Sequence, residues 1–230
     1  MKLLNFLVSF FLFGCQTSIS QKSKTQDFYS IPLDFYLNES ETYVVGQDDS
    51  SLIITRNLST ITEKQINACV DEVNRNFQMT KLSFYVRSVE YTRYEPTLRL
   101  AQVTEIAAND EDGILVYVEC GFCVDLKVAG ETWLPQEMKS RGIWMQNWDI
   151  ANTLTHELGH YFGLRHTFDP SEDIEDTYNE EQWKECFGTP YISYPNFMNY
   201  TNAQERVFSP GQISVINDGI KRYRPKLVDP

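Results

Sequence analysis

The chain has 230 residues, 42% of them hydrophobic and 13% aromatic, with 20 Lys+Arg against 32 Asp+Glu for a net charge of −12. That apolar content excludes wholesale disorder, and a mean hydropathy of −0.38 with one apolar run excludes a membrane channel. The acidic balance argues against nucleic acid as a partner, which needs a basic face, and the length predicts one domain, expected to be a monomer.

Met1-Lys2 is followed by an apolar run, Leu3 to Phe13. It is shorter than the ~20 residues of a spanning helix and reads as an export signal over residues 1–14. Gly14-Cys15 resembles a bacterial lipobox, although Phe13 is bulkier than the usual residue there. Two readings stand. In one, Cys15 is lipidated and forms the sole membrane anchor of a cell-envelope lipoprotein; in the other, the protein is freely secreted. Both put the chain outside the cytosol, where disulfides persist. Cys69, Cys120, Cys123 and Cys186 then allow up to two disulfides in three connectivities. Cys120-Gly-Phe-Cys123 has no second CxxC to complete a zinc ribbon.

A polar tether is expected over residues 15–27. Ile31–Leu37 reads as a first strand, and 44–55 as a hairpin. Thr62 and Gln65 form a capping-box pair for a helix to Phe77, with Ile66, Cys69, Val70 and Val73 on its buried face. A strand follows over 81–91. Residues 99–108 fit either a short helix or an irregular segment. Ile114–Val118 is a continuous apolar run, as in a buried strand. Short strands are predicted over 127–134 and 142–145, and then a helix from Ile150 to Phe162 with Asp149 as N-cap. The chain past Gly163 reads as acidic loop to about Pro195. Ser209-Pro-Gly-Gln212 starts a last helix running to about Arg222. This order predicts an α/β (α+β) fold with a twisted, mostly parallel sheet and two long helices.

All three histidines fall in one stretch, His156-Glu-Leu-Gly-His160-Tyr-Phe-Gly-Leu-Arg-His166. Ile150, Leu154, Leu158 and Phe162 recur every four residues and form an apolar stripe. His156 and His160 project from the other face, one turn apart, where both can grip one ion. Gly163 is suited to end the helix in a left-handed turn that returns His166 as third ligand. Three neutral imidazoles suit Zn²⁺ with a fourth position for water, whose pKa the metal lowers toward ~7. Glu157 is placed to take that water's proton and later give it to a leaving amine.

The pattern H-E-x-x-H-x-x-G-x-x-H is the metzincin signature. Asn196-Phe-Met198-Asn-Tyr200 supplies the Met-turn expected downstream, with Met198 as an apolar floor under the ligands. Tyr200 is read either as a hydroxyl that stabilises the oxyanion or as a structural tyrosine. The chain resembles the pappalysin family of metzincin metallopeptidases, in particular its short bacterial secreted members. The resemblance spans about 28–230 and is carried by His156–His166 continuing into Thr167-Phe168, Asn196–Tyr200, Phe208-Ser-Pro-Gly-Gln212 and Asn74-Arg-Asn-Phe77. It implies a metzincin-like fold with a five-stranded mixed sheet and two long helices above a cleft (about 28–163). Below the cleft it implies a loop-rich subdomain with the C-terminal helix (about 164–230). It also implies a zinc endopeptidase whose protein or peptide substrate lies extended along an edge strand at about 127–134.

The family's calcium-associated element corresponds to Ser171–Tyr178. Asp176 and Thr177 match it, while Glu172, Ile174 and Tyr178 depart from it. Calcium held by Glu172, Asp176 and Thr177 is one expectation and a solvated acidic loop the other. The family's cysteine after the Met-turn is absent, so its disulfide pattern does not transfer to Cys186. The rival to a peptidase is a zinc-binding surface lipoprotein acting as a non-proteolytic interaction module. An intact Glu157 weighs against it, because ligands alone suffice for binding.

Overall fold

The computed structural model describes residues 28–38, 61–92, 100–107, 112–119, 129–136, 142–146 and 149–228. The leader, Cys15, the tether, the hairpin expected at 44–55, Cys120 and Cys123 lie outside the described residues.

Five strands form one sheet in the order β2-β1-β3-β5-β4. They are β1 (Tyr29–Asn38), β2 (Leu82–Thr92), β3 (Ile114–Glu119), β4 (Gly130–Glu131) and β5 (Gly142–Gln146). All pairings are parallel except β4 on β5, which is antiparallel. One irregularity interrupts the β1–β2 register between Leu33 and Asp34. There Asp34 is buried and bonded to the Arg87 guanidinium and, at 2.6 Å, to Ser88 Oγ.

Helices α1 (Glu63–Asn76) and α3 (Ile150–Tyr161) pack together on one face of the sheet. The capping box of Thr62 and Gln65 forms as expected. Ile66, Val70 and Val73 meet Ile31, Leu33, Phe35, Ile114, Val116 and Val118 in the main core. The alternate residues of β3, Leu115 and Tyr117, face the other way. With Trp144 they are covered by Val103 and Ala107 of α2 (Leu100–Ala107). Residues 99–108, readable as helix or coil, are therefore helical, and α2 closes the second face. This is why every residue of β3 and β5 is buried.

The Asn74–Phe77 stretch has a physical reason. Asn74 donates to Phe84 O and accepts from Phe84 N, substituting for a neighbouring strand along the edge strand β2. Asn76 donates to Thr155 Oγ1 on α3 at 2.9 Å, and Phe77 is fully buried against Phe84 and Phe208.

Three expectations are corrected. The edge strand predicted over 127–134 is only Gly130–Glu131 among the described residues. Thr132 Oγ1 takes the Gly142 carbonyl in place of a ladder amide, and Pro135, in a turn, has no amide to give. Asp149 occupies the N-cap position of α3, but its side chain does not cap the helix. It sits left-handed at φ 48 with no side-chain cap bond; its carboxylate accepts from Asn152 and faces Arg206 at 4.0 Å. Cys69 and Cys186 are free thiols rather than disulfide partners. Cys69 points into the core from α1, whereas Cys186 is exposed on α4 (Glu180–Phe187).

Helix α4 falls where loop was predicted. Its signals are local: an Asn179/Gln182 capping box and a left-handed Gly188 at φ 65. Only Trp183 of α4 is buried, so no apolar periodicity marks it. The last helix, α5 (Pro210–Tyr223), starts at the Ser209/Gln212 capping box and buries Ile216, Gly219 and Ile220.

Candidate metal and catalytic site

Helix α3 carries His156, Glu157 and His160 into the interior. Of the stripe, Leu154, Leu158 and Phe162 are fully buried, while Ile150 is only partly buried. The opposite face is enclosed too, because the chain past Gly163 folds back over it; Gly159 and His160 are buried. The fold-back starts at Gly163, which adopts φ 107, a backbone region that only glycine enters freely. Gln136, after β4, fixes this turn by donating to Gly163 O at 3.0 Å. Sequence reasoning had no signal for Gln136.

The three imidazoles converge. Their Nε2 atoms stand 3.0 Å (His156–His160), 3.1 Å (His156–His166) and 3.1 Å (His160–His166) apart. The hydrogen-bond partners behind two rings fix the tautomers. His156 Nδ1 donates to Phe197 O at 2.6 Å and His160 Nδ1 to Leu164 O at 2.7 Å. A carbonyl only accepts, so both protons lie on Nδ1 and the facing Nε2 atoms carry bare lone pairs. Two lone pairs at 3.0 Å repel unless a cation lies between them. Three nitrogens on one tetrahedral zinc with bonds of ~2.0–2.1 Å stand about 3.3 Å apart, so the donor set fits that ion. It is the one His/Cys/Asp/Glu group among the described residues that assembles such a ligand set. Burial lowers the pKa of all three rings, His156 to about 4, which keeps them neutral and able to ligate.

Glu157 is 4% exposed and its Oε2 has no hydrogen-bond partner among the described residues. Burial, and then the neighbouring Glu131, raise its pKa well above the usual carboxylate range. A buried carboxylate oxygen left without a donor is costly in a purely structural role. It is what a proton carrier facing a solvent or substrate position requires.

Met198 of Asn196–Tyr200 packs against Gly159, between His156 and His160 on α3. Met198 is fully buried, and its carbonyl accepts from Thr167 N at 3.0 Å, tying the turn to the segment just past His166. Gly159, between the two helical ligands, is what admits it: a Cβ there would stand 2.5 Å from Met198 Sδ. Asn196 and Gln212 exchange side-chain amide bonds at 2.9 and 3.1 Å, and Asn196 Oδ1 also accepts from Met198 N. The motifs Asn196–Tyr200 and Phe208–Gln212 are thus one unit, joining the Met-turn to the cap of α5.

Tyr200 is 67% exposed, with its ring 4.9 Å from that of His166 and 5.9 Å from that of His156. Phe168 stacks on His166 at 4.6 Å and meets Tyr200 at 5.0 Å. Partial burial and then Glu157 raise the Tyr200 pKa.

The acidic loop has internal tasks. Asp176 accepts from Ser209 Oγ at 2.5 Å and Gly211 N at 2.8 Å, at the start of α5. Glu172 accepts from Ile174 N and Thr177 Oγ1, closing its own turn. Calcium finds no support here, because these carboxylate oxygens already have donors.

Three imidazole donors over a methionine floor, with a buried glutamate between the helical ligands, define a metallopeptidase site. Comparison with known proteins places it: residues 38–209 match Metallo-peptidase family M12 (Reprolysin_5), and the chain belongs to that family. No curated protein matches the sequence. Among solved structures, the chain is similar to an archaemetzincin from Methanopyrus kandleri at 12% identity and TM-score 0.46, covering 86% of this chain and 98% of that one. It is also similar to metalloproteinase-II from Bacteroides fragilis at 10% identity and TM-score 0.48, covering 87% of this chain and 55% of that one. A chaperone–substrate complex aligns at 16% identity and TM-score 0.48 over 87% of this chain, which spans 35% of that chain's length.

Proposed function

We propose that the protein is an exported zinc endopeptidase of the pappalysin type that cleaves protein or peptide substrates bound in extended form. The observation that carries this reading is the unpartnered Oε2 of Glu157, buried beside three converging imidazoles. His156, His160 and His166 hold the metal. When bound, zinc supplies Lewis acidity and a water acidified toward pKa ~7. Glu157 takes the proton from the attacking water and returns it to the leaving amine. Tyr200 donates its hydroxyl to the oxyanion from the rim of the site. Substrate pairs with the outer edge of β4, the end strand of the sheet. The pappalysin assignment is supported by the linked motifs Asn196–Tyr200 and Phe208–Gln212, and export by the leader, with Cys15 as anchor in the lipidated form.

The test is cleavage of a peptide library by the purified protein, alone, with 1,10-phenanthroline, and after zinc is restored. Internal cuts that vanish with chelator and return with zinc are expected. Intact peptides in every arm would favour the non-proteolytic zinc-binding module, and chelator-resistant cuts would remove the metal from the mechanism.

A further inference from the structure

Gly130 on the edge strand β4 lies directly against the carboxylate of Glu157. A Cβ on Gly130 would stand 2.9 Å from Glu157 Oε1, 3.0 Å from Glu157 Cγ and 2.9 Å from Thr153 Cγ2. Its backbone does not need a glycine. The positive-φ glycines among the described residues are Gly163 and Gly188, and Gly130 is paired in the ladder opposite Met145. Glycine weakens a strand unless a close approach requires it, so the requirement here is space. The neighbours that define the space are unequal. Thr153 is β-branched and held on the buried side of α3, so its methyl has little freedom. The Glu157 carboxylate ends a flexible side chain, and its Oε2 has no hydrogen bond to hold it. An added methyl would therefore be accommodated by displacing the carboxylate.

We infer that Gly130 is a positioning residue for Glu157: the missing Cβ is the space that sets where the carboxylate rests. The inference rests on the reading of Glu157 as the proton carrier. It makes a two-residue strand part of the catalytic apparatus through its side-chain void, separately from any backbone pairing with substrate.

The test uses the full zinc-loaded chain and four variants: Gly130→Ala, Glu157→Asp, the two combined, and Glu157→Ala. Zinc content, melting temperature, kcat and KM are measured on one peptide substrate. A carboxylate moved by about an ångström costs on the order of 10–100-fold in kcat, so Gly130→Ala is expected to lose that much with KM, zinc content and melting temperature close to wild type. Aspartate withdraws the carboxylate by one methylene, so in the Glu157→Asp background the same glycine change is expected to cost less than about twofold, a non-additive cycle. Equal losses in both backgrounds, an undiminished kcat in Gly130→Ala, or a collapse of its melting temperature or zinc content would each overturn the inference. Glu157→Ala separates the two readings. If it still cleaves, the role of Glu157 fails. If it is inactive while Gly130→Ala is unimpaired, only the positioning role of Gly130 fails.

Discussion

At the scale of single residues, the site is built from neighbours that deny its members other partners. Phe197 O and Leu164 O take the Nδ1 protons of His156 and His160, leaving Nε2 of each for a metal. The same approach is made sterically at Gly159, which admits Met198 Sδ beneath the ligands. Gly159→Ala is expected to push the Met-turn away and weaken zinc binding by about tenfold or more, the loss typical of damage to supporting groups around a metal. Competition with a chromogenic chelator measures it, and unchanged affinity would show that the floor has room to yield. The two described cysteines also differ. Burial, with smaller contributions from Glu72 and Asp149, raises the Cys69 thiol to about 12, so it stays protonated at pH 8; Cys186 is exposed. A thiol reagent at pH 8 is expected to label Cys186 in the folded protein and Cys69 only after unfolding. Prompt labelling of Cys69 would place its helix face outside the core.

The converging His156, His160 and His166 were legible at this scale because their pattern is local in sequence. Gly130 and Gln136 were not. Each meets the site segment through a contact made only when distant segments come together, and no periodicity or spacing encodes that.

At the scale of elements, legibility followed the size of the buried face. Helices α1 and α5 announced themselves by capping boxes and apolar spacing. Helix α4, with one buried residue, had only its caps. The edge strand β4 is too short to carry an alternation, and its neighbours at 127–128 are outside the described residues. Two contacts fix how α5 joins the rest. Asp176 caps its first turn through Ser209 Oγ and Gly211 N. Asp176→Ala is expected to cost about 1–2 kcal/mol of stability, read by urea denaturation, with no dependence on added calcium. Stabilisation of the wild type by added calcium, and not of the variant, would restore the cation reading of this loop. Further along α5, a Cβ on Gly219 would overlap the carbonyl of Phe162 at the end of α3. Because that obstacle is backbone, Gly219→Ala is expected to lower the melting temperature by several degrees, corresponding to roughly 1–3 kcal/mol of overpacking. A melting temperature equal to wild type would mean that α5 slides freely on α3.

At the scale of the whole molecule, the metal site joins the helix layer to the chain that follows Gly163. Two ligands come from α3, the third from the returning segment, and the floor from a turn anchored to α5 through the Asn196–Gln212 pair. A ligand that binds only the folded state stabilises by RT ln(1 + [L]/Kd), about 4 kcal/mol at a thousandfold excess over Kd. Removing zinc should therefore lower the melting temperature of the entire domain in one transition, rather than loosen the final segment alone. The central claim is narrower: the site binds zinc without Glu157 but cannot cleave without it. The direct measurement is zinc stoichiometry and peptide turnover on the same preparation of Glu157→Ala. One zinc per chain with turnover reduced by at least about a thousandfold is the predicted result. Wild-type turnover with zinc bound would contradict the account.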